Sequence, residues 1–249
     1  MNNLDLGQHF LVDEEVLEKE IDSADITKKD KVIEIGAGRG NLTEKLADNA
    51  KEVLAFEIDK RFFKYLNKLG KKYDNLKVIF DNALLHSWKG YSKIVSNIPY
   101  HLSEEVINKA IISDIKEITL IVGKNFKELL FSDEKVGIIA RKFYDIEEIM
   151  DVPKTSFEPL PSVNSSLIKF IKRDKIGELD KLIINISLGG GKIKNSIIRA
   201  LLTAGKTKRK ARELIIEMDL DENILDKPAK MITSKLLLRI ESELEKVYK

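Results

Sequence analysis

Hydrophobic and polar positions along the chain follow two regimes. Through the first two-thirds, short β-branched runs alternate with amphipathic stretches. The runs Val32-Ile33-Glu34-Ile35, Val53-Leu54-Ala55-Phe56, Leu76-Lys77-Val78-Ile79, Ile94-Val95-Ser96 and Ile118-Thr119-Leu120-Ile121-Val122 predict strands. Between them, residues 42–50, 61–72 and 104–112 repeat apolar side chains every third or fourth position, which predicts helices. Strands alternating with helices predict an α/β fold, a Rossmann-like doubly wound sheet with right-handed crossovers. Segments near 146–152 and 166–171 flank a proline-containing loop and fit an antiparallel hairpin at the sheet edge. Beyond Arg173 the strand pattern stops. Residues 179–188, 193–202, 208–218 and 234–247 read as helices, broken by Gly189-Gly190-Gly191, Gly205 and Pro228. The chain therefore divides into an α/β domain over residues 1–173 and a small all-α domain over 174–249. It has no internal repeat or low-complexity tract.

Composition narrows this picture. The absence of cysteine excludes disulfides, thiolate zinc sites and cysteine nucleophiles. No apolar run approaches the roughly 18 residues of a membrane span. Met1-Asn2-Asn3-Leu4-Asp5 lacks the basic-then-apolar layout of a signal peptide, so a cytoplasmic location is expected. A net charge of +2 does not announce a nucleic-acid partner, but its distribution does. Residues 181–212 hold nine Lys/Arg and no Asp or Glu. Lys192, Lys194, Lys208, Arg209 and Lys210 in this stretch are expected to contact RNA phosphates.

The segment Glu34-Ile35-Gly36-Ala37-Gly38-Arg39-Gly40-Asn41 reads as a strand end, a glycine turn and a helix start. Gly36 and Gly38 remove side chains where backbone turns sharply and approaches a ligand. The second strand ends in Phe56-Glu57-Ile58-Asp59, which places Glu57 about 20 residues past the glycines, where a carboxylate meets the ribose hydroxyls of an adenosine moiety. The third ends in Asp81-Asn82-Ala83-Leu84, where an adenine edge is read by Asn82 or Asp81. These features predict an adenosine-containing cofactor without saying which one.

The fourth strand decides. It runs into Asn97-Ile98-Pro99-Tyr100, which resembles the [DNS]-P-P-[YFW] loop of amino-directed N-methyltransferases. An exocyclic adenine amine is a poor nucleophile because its lone pair is delocalised into the ring. The Asn97 side-chain oxygen and the carbonyl before Pro99 can accept its two N–H groups and hold the nitrogen in line with an activated methyl group. Tyr100 offers a π-face to the extruded base. Neither a general base nor a metal is required, and S-adenosylmethionine (SAM), leaving as S-adenosylhomocysteine, becomes the expected cofactor. His86 and His101 read as surface or loop histidines, and Trp88 reads as core.

With these motifs in order, the chain resembles the ribosomal RNA small-subunit adenine dimethyltransferases, the KsgA-type family. The match also includes Gly7-Gln8-His9-Phe10-Leu11 and Phe157-Glu158-Pro159-Leu160-Pro161-Ser162-Val163-Asn164-Ser165. The resemblance implies that His9, Leu11, Gly36, Glu57, Asn82 and Asn97 line the SAM site. It further implies that Asn97 and Tyr100 hold the target adenine while Phe157 stacks on its other face. The implied partner is small-subunit ribosomal RNA or a pre-ribosomal small subunit, modified at two adjacent adenines by a monomeric enzyme. The chain departs from the family at His9 (usually Asn), at Asn82 (usually Asp) and at Gly123-Lys124-Asn125 (often Q-K-E). Competing readings are the sister family that confers macrolide resistance on large-subunit RNA, a non-catalytic assembly factor on the same fold, and an NAD dehydrogenase.

Overall fold

A computed structural model describes residues 8–248, so Gly7 lies outside the described residues. In chain order the elements are β1 (Phe10–Leu11), α1 (Glu14–Ser23), β2 (Lys31–Ile35), α2 (Asn41–Asn49), β3 (Glu52–Phe56), α3 (Phe63–Lys72), β4 (Leu76–Ile79), β5 (Lys93–Ser96), α4 (Ser103–Ile112) and β6 (Glu117–Gly123). They continue with α5 (Lys124–Phe131), α6 (Lys135–Phe143), β7 (Tyr144–Val152), β8 (Phe157–Glu158), β9 (Ser165–Lys172), α7 (Glu178–Leu188), α8 (Ile193–Thr203), α9 (Lys208–Glu217), α10 (Glu222–Leu225) and α11 (Ser234–Val247).

The seven-stranded sheet has the order β4-β3-β2-β5-β6-β9-β7. β4 to β6 pair in parallel, and β9 returns antiparallel to β6 from Glu117↔Ile171 to Gly123↔Ser165. Central strands covered on both faces need continuous apolar runs. In β2 and β3 the last four residues are all buried. The strand order reverses between β2 and β5. At such a switch point the following loops diverge and leave a crevice beyond the carboxyl ends. Val32, Val53, Ala55, Val95, Ile121 and Leu167 form the sheet's share of the core, with Leu42 and Leu46 of α2 and Val16 and Leu17 of α1 packed upon it. As expected, Trp88 is core: it is 1% exposed and its indole N–H donates to Ala83 O at 3.1 Å.

The chain forms two compact units, one of residues up to Glu128 together with Asp145–Lys172, the other of Leu129–Tyr144 with Arg173–Lys249. The segment Leu129–Tyr144 thus groups with the C-terminal helices, across the sequence boundary near 173. Its one complete helix, α6, escaped the sequence reading for a physical reason. Gly137 sits inside α6, where glycine argues against a helix. A Cβ there would meet Leu129 O at 2.4 Å and Ser132 O at 2.7 Å, so the close approach excludes any other residue. In this second unit α7 buries Leu182, Ile183 and Ile186, and α11 buries Leu237, Ile240 and Leu244. Lys142 bridges Asp180 at 2.8 Å and Glu241 at 2.5 Å. Burial pulls the Lys142 pKa down, but those two partners outweigh it and hold the ammonium above its ordinary value.

Candidate functional site

Beyond the carboxyl ends of β2, β3 and β5 lies a cavity of about 410 Å³. Its lining includes His9, Leu11, Gly36, Gly38, Glu57, Asn82, Asn97, Pro99, Tyr100 and Phe157, so every cofactor and catalytic position read from the sequence converges on one space.

The glycine turn is shaped by its residue type. Gly36, Gly38 and Gly40 have φ of 84°, 51° and 87°, the left-handed region that glycine alone enters without cost. A Cβ on Gly38 would stand 3.1 Å from the Phe10 ring, and one on Gly40 would stand 2.5 Å from Leu69. Gly36 and Ala37 both donate to Phe56 O, at 2.8 and 3.0 Å, which pins the turn to the end of β3. Glu57 completes the link, since its two carboxylate oxygens accept from Gly38 N at 2.7 Å and Asp59 N at 2.8 Å. Each oxygen keeps a further lone pair for a hydroxyl donor. Asp81 and Asn82 serve their own loop: Asp81 accepts from Asn82 N and pairs with His86 at 2.9 Å, and Asn82 Oδ1 caps Leu84 N at 2.9 Å.

Asn97 follows β5, whose last residue Ser96 is hydrogen-bonded in both directions to the Ile35 backbone. Among the described residues, Asn97 Oδ1 is buried with no hydrogen-bond donor. A buried amide oxygen left unpaired costs roughly 1–3 kcal/mol, so a site that tolerates one keeps it for a donor that arrives. Tyr100 lines the same cavity, with its hydroxyl 2.6 Å from Ser165 Oγ and its pKa raised by burial. The His9 ring stacks on Tyr100 at a centroid distance of 6.4 Å, and His9 Nδ1 donates to Pro159 O at 2.8 Å. Phe157 is buried in β8, which pairs antiparallel with β1 and so brings Leu11 opposite it.

Gly123 gains a meaning that the sequence did not disclose. A Cβ there would stand 2.9 Å from the Tyr100 ring, so the glycine leaves room for that aromatic. Two buried acids also escaped the sequence reading as site residues. Glu34 lines the cavity at 1% exposure, and Glu20 lies in α1 with no exposed surface. Desolvation pushes both carboxyls up to about 8. The only sequence signal for Glu20 is its place three residues after Leu17, on the apolar stripe of α1.

The five cations expected to contact RNA lie in the second unit, outside the cavity lining. Acid-free in sequence, the stretch finds acids in space. Lys192 pairs with Asp226 at 3.0 Å, Arg209 with Glu213 at 3.6 Å, and Lys210 stands 4.0 Å from both Glu213 and Glu217. Lys208 is exposed and Lys194 half-buried.

Comparison with known proteins decides the family. The model of the ribosomal RNA adenine dimethylase family matches residues 1–184. The chain belongs to that family. A Methanococcus vannielii protein, described as a probable ribosomal RNA small subunit methyltransferase A, is 36% identical over 183 residues, covering 70% of this chain and 68% of the relative. A Methanosarcina barkeri protein of the same description is 37% identical over 172 residues, covering 67% and 60% of the two chains. Among solved structures, a dimethyladenosine transferase from Plasmodium falciparum superposes with a TM-score of 0.66 at 25% identity, covering 96% of this chain and 98% of the other. The 23S rRNA methyltransferase ErmE shares the fold, with a TM-score of 0.63 at 20% identity over 95% and 99% of the two chains. This dimethylase-family chain is therefore a methyltransferase by descent. No helix among its described residues is long and apolar enough to cross a membrane.

Proposed function

We propose that this dimethylase uses SAM to dimethylate N6 of two adjacent adenines in a hairpin near the 3′ end of small-subunit ribosomal RNA, in the cytoplasm during ribosome assembly. The observation that carries the reading is Asn97, a residue with a buried, donorless Oδ1, lining the same cavity as the glycine turn and Glu57. The residues present fit the cofactor: left-handed glycines bring backbone to the cavity, and Glu57 retains acceptor capacity for ribose hydroxyls. A bound SAM would supply the methyl group, activated by its sulfonium, and would keep the electron pair of the C–S bond that breaks.

The chain's own residues do the rest. Asn97 Oδ1 and the Ile98 carbonyl each accept one N–H of the target amine, which points the nitrogen lone pair at the methyl carbon and favours a tetrahedral nitrogen. The alkylated nitrogen is strongly acidic and gives its proton to water, so no general base is needed. Tyr100 and Phe157 hold the two faces of the extruded base, and Gly123 lets Tyr100 take that place. His9, Leu11, Gly36, Gly38 and Asn82 or Asp81 enclose the cofactor. Lys192, Lys194, Lys208, Arg209 and Lys210 offer cations to neighbouring phosphates, their surface ion pairs being weak enough to exchange for RNA.

The test is tritiated SAM with small-subunit particles lacking the modification and with naked large-subunit RNA, followed by nucleoside analysis. The reading requires dimethyladenosine in the small subunit, approaching four methyl groups per particle. Label in large-subunit RNA alone overturns it. Calorimetry with Glu57→Ala checks the cofactor assignment, because removing the ribose acceptor should cost roughly 1.5–3 kcal/mol of SAM binding.

A further inference from the structure

α1 buries three side chains: Val16, Leu17 and Glu20. Leu17 reaches the cavity, and Glu20 follows it on the same helix face with no exposed surface. A carboxyl wholly removed from water stays neutral unless a cation holds it. Among the described residues no cation does so. What acts on Glu20 is first its burial, then the side chain of Asn97, then the charge of Glu34, and the acid is raised to about 8. The facing groups are all acids or neutral: Glu34 on β2, against which lie Glu57 at the end of β3 and the Thr43 hydroxyl of α2. Neither Glu20 oxygen completes a hydrogen bond, and neither does Asn97 Oδ1. The amide lining the cavity is thus backed by a carboxyl within reach, and the contact between them is not closed.

We propose that Glu20 is a positioning residue that decides which end of the Asn97 amide faces the target amine. The proposal rests on the role given to Asn97 above. Turning an amide end for end exchanges a donor for an acceptor. An ionised Glu20 only accepts, so it takes the Nδ2 hydrogens and leaves Oδ1 to the adenine N–H. A neutral Glu20 also carries an O–H, which can donate to Oδ1 and turn Nδ2 toward the cavity. There the N–H groups of the amine meet no acceptor. Turnover therefore rises with pH as Glu20 ionises, in a range where an ordinary carboxylate is already fully charged.

The experiment measures single-turnover methyl transfer by the full chain, with SAM and small-subunit particles, from about pH 6.5 to 9.5. Wild type, Glu20→Gln, Glu20→Asp and Asn97→Ala are compared, with SAM and RNA affinities and unfolding temperature measured alongside. Glutamine both donates and accepts and does not titrate. Glu20→Gln should keep both affinities within about twofold, lose roughly tenfold in rate at the alkaline end, and lose the rising limb. Glu20→Asp, which titrates, should keep a limb at a reduced rate and serves if the Gln variant fails to fold. A Glu20→Gln enzyme with the wild-type rate and limb overturns the proposal while leaving Asn97 its role, provided Asn97→Ala is inactive. An active Asn97→Ala removes the reading beneath it, and the proposal with it.

Discussion

The two ends of the central sheet treat buried charge in opposite ways. At the amino end, Lys93 opens β5 nearly buried, and its ammonium donates to Ala24 O at 3.0 Å, Asp25 O at 2.9 Å and Glu117 Oε2 at 2.8 Å. Lys169 nearby pairs with Asp25, and Lys31 with Glu52. Each of these three ammonium groups has an acceptor. At the carboxyl end, Glu20, Glu34, Thr43 and Asn97 all carry buried oxygens without a partner among the described residues. Both regions share one core, so the difference does not reflect how well the chain packs. One end pairs its polar groups and so holds the fold, and the other leaves oxygens unpaired in and behind the cavity wall, which costs stability.

The largest effect that would break this contrast is catalytic. Asn97→Ala should lower methyl transfer by about 10² to 10³-fold, the usual cost of one positioned transition-state contact. Its unfolding temperature should match wild type or exceed it, because an unmet acceptor is removed. A large thermal loss would make Asn97 structural and erase the distinction. The mirror experiment is Lys93→Met, which keeps the aliphatic stem and strands three acceptors. Because Glu117 is partly exposed and can turn to water, the expected loss is about 2–4 kcal/mol of stability, read by denaturant unfolding. Activity per folded molecule should be unchanged.

Titration sharpens the comparison further. Glu20 and Glu34 have folded-state pKa values raised from 4.5 to about 8. The folded state then binds more protons than the unfolded state between those values, and stability falls as pH rises through the window. Each group contributes at most about 1.4 kcal/mol per pH unit. Glu20→Gln should flatten that slope and gain most over wild type above pH 8, while below pH 4.5 the two should converge. An equal gain at all pH values would show that Glu20 is not neutral in the native protein. A smaller effect is expected at Gly123→Ala, where the added methyl displaces the Tyr100 ring and should cost about tenfold in turnover with SAM affinity intact. The smallest per-residue effect belongs to Lys208→Glu with Arg209→Glu. Each lost phosphate contact should remove about 0.7–0.9 from the salt slope of RNA binding, measured by filter retention.

The strands were legible because a sheet buried on both faces forces mainly apolar, β-branched runs, which Glu34 in β2 and Thr119 in β6 interrupt without hiding, and β2, β3 and β6 were read within a residue of their bounds. The cavity lining was legible for another reason: glycines, prolines and a strand-end acid occur in fixed order where backbone meets ligand. What escaped depended on space. Gly137 disguised α6 because the residue demanded by a crowded carbonyl is also a poor helix former. The basic run looked free of acids because Asp226 arrives from a distant segment. In Glu14-Glu15-Val16-Leu17-Glu18-Lys19-Glu20 only the three-residue step from Leu17 tells Glu20 apart from its acidic neighbours.

The short pairing of β1 with β8 has a consequence in time. His9 and Pro159, hydrogen-bonded across it, stand 150 positions apart, and Asp13 and Ser156 beside them stand 143 apart. Loops that long close slowly, after the local β-α-β contacts have formed. On the ribosome, strands β2 to β6 leave the exit tunnel well before residue 159 can return to meet residue 9. The nascent sheet therefore exists for a period with its crevice unroofed and its affinity for a small ligand incomplete. A small ligand held partly by residues of that seam would bind fully only once the seam has formed, and by mass action would then lock it in place.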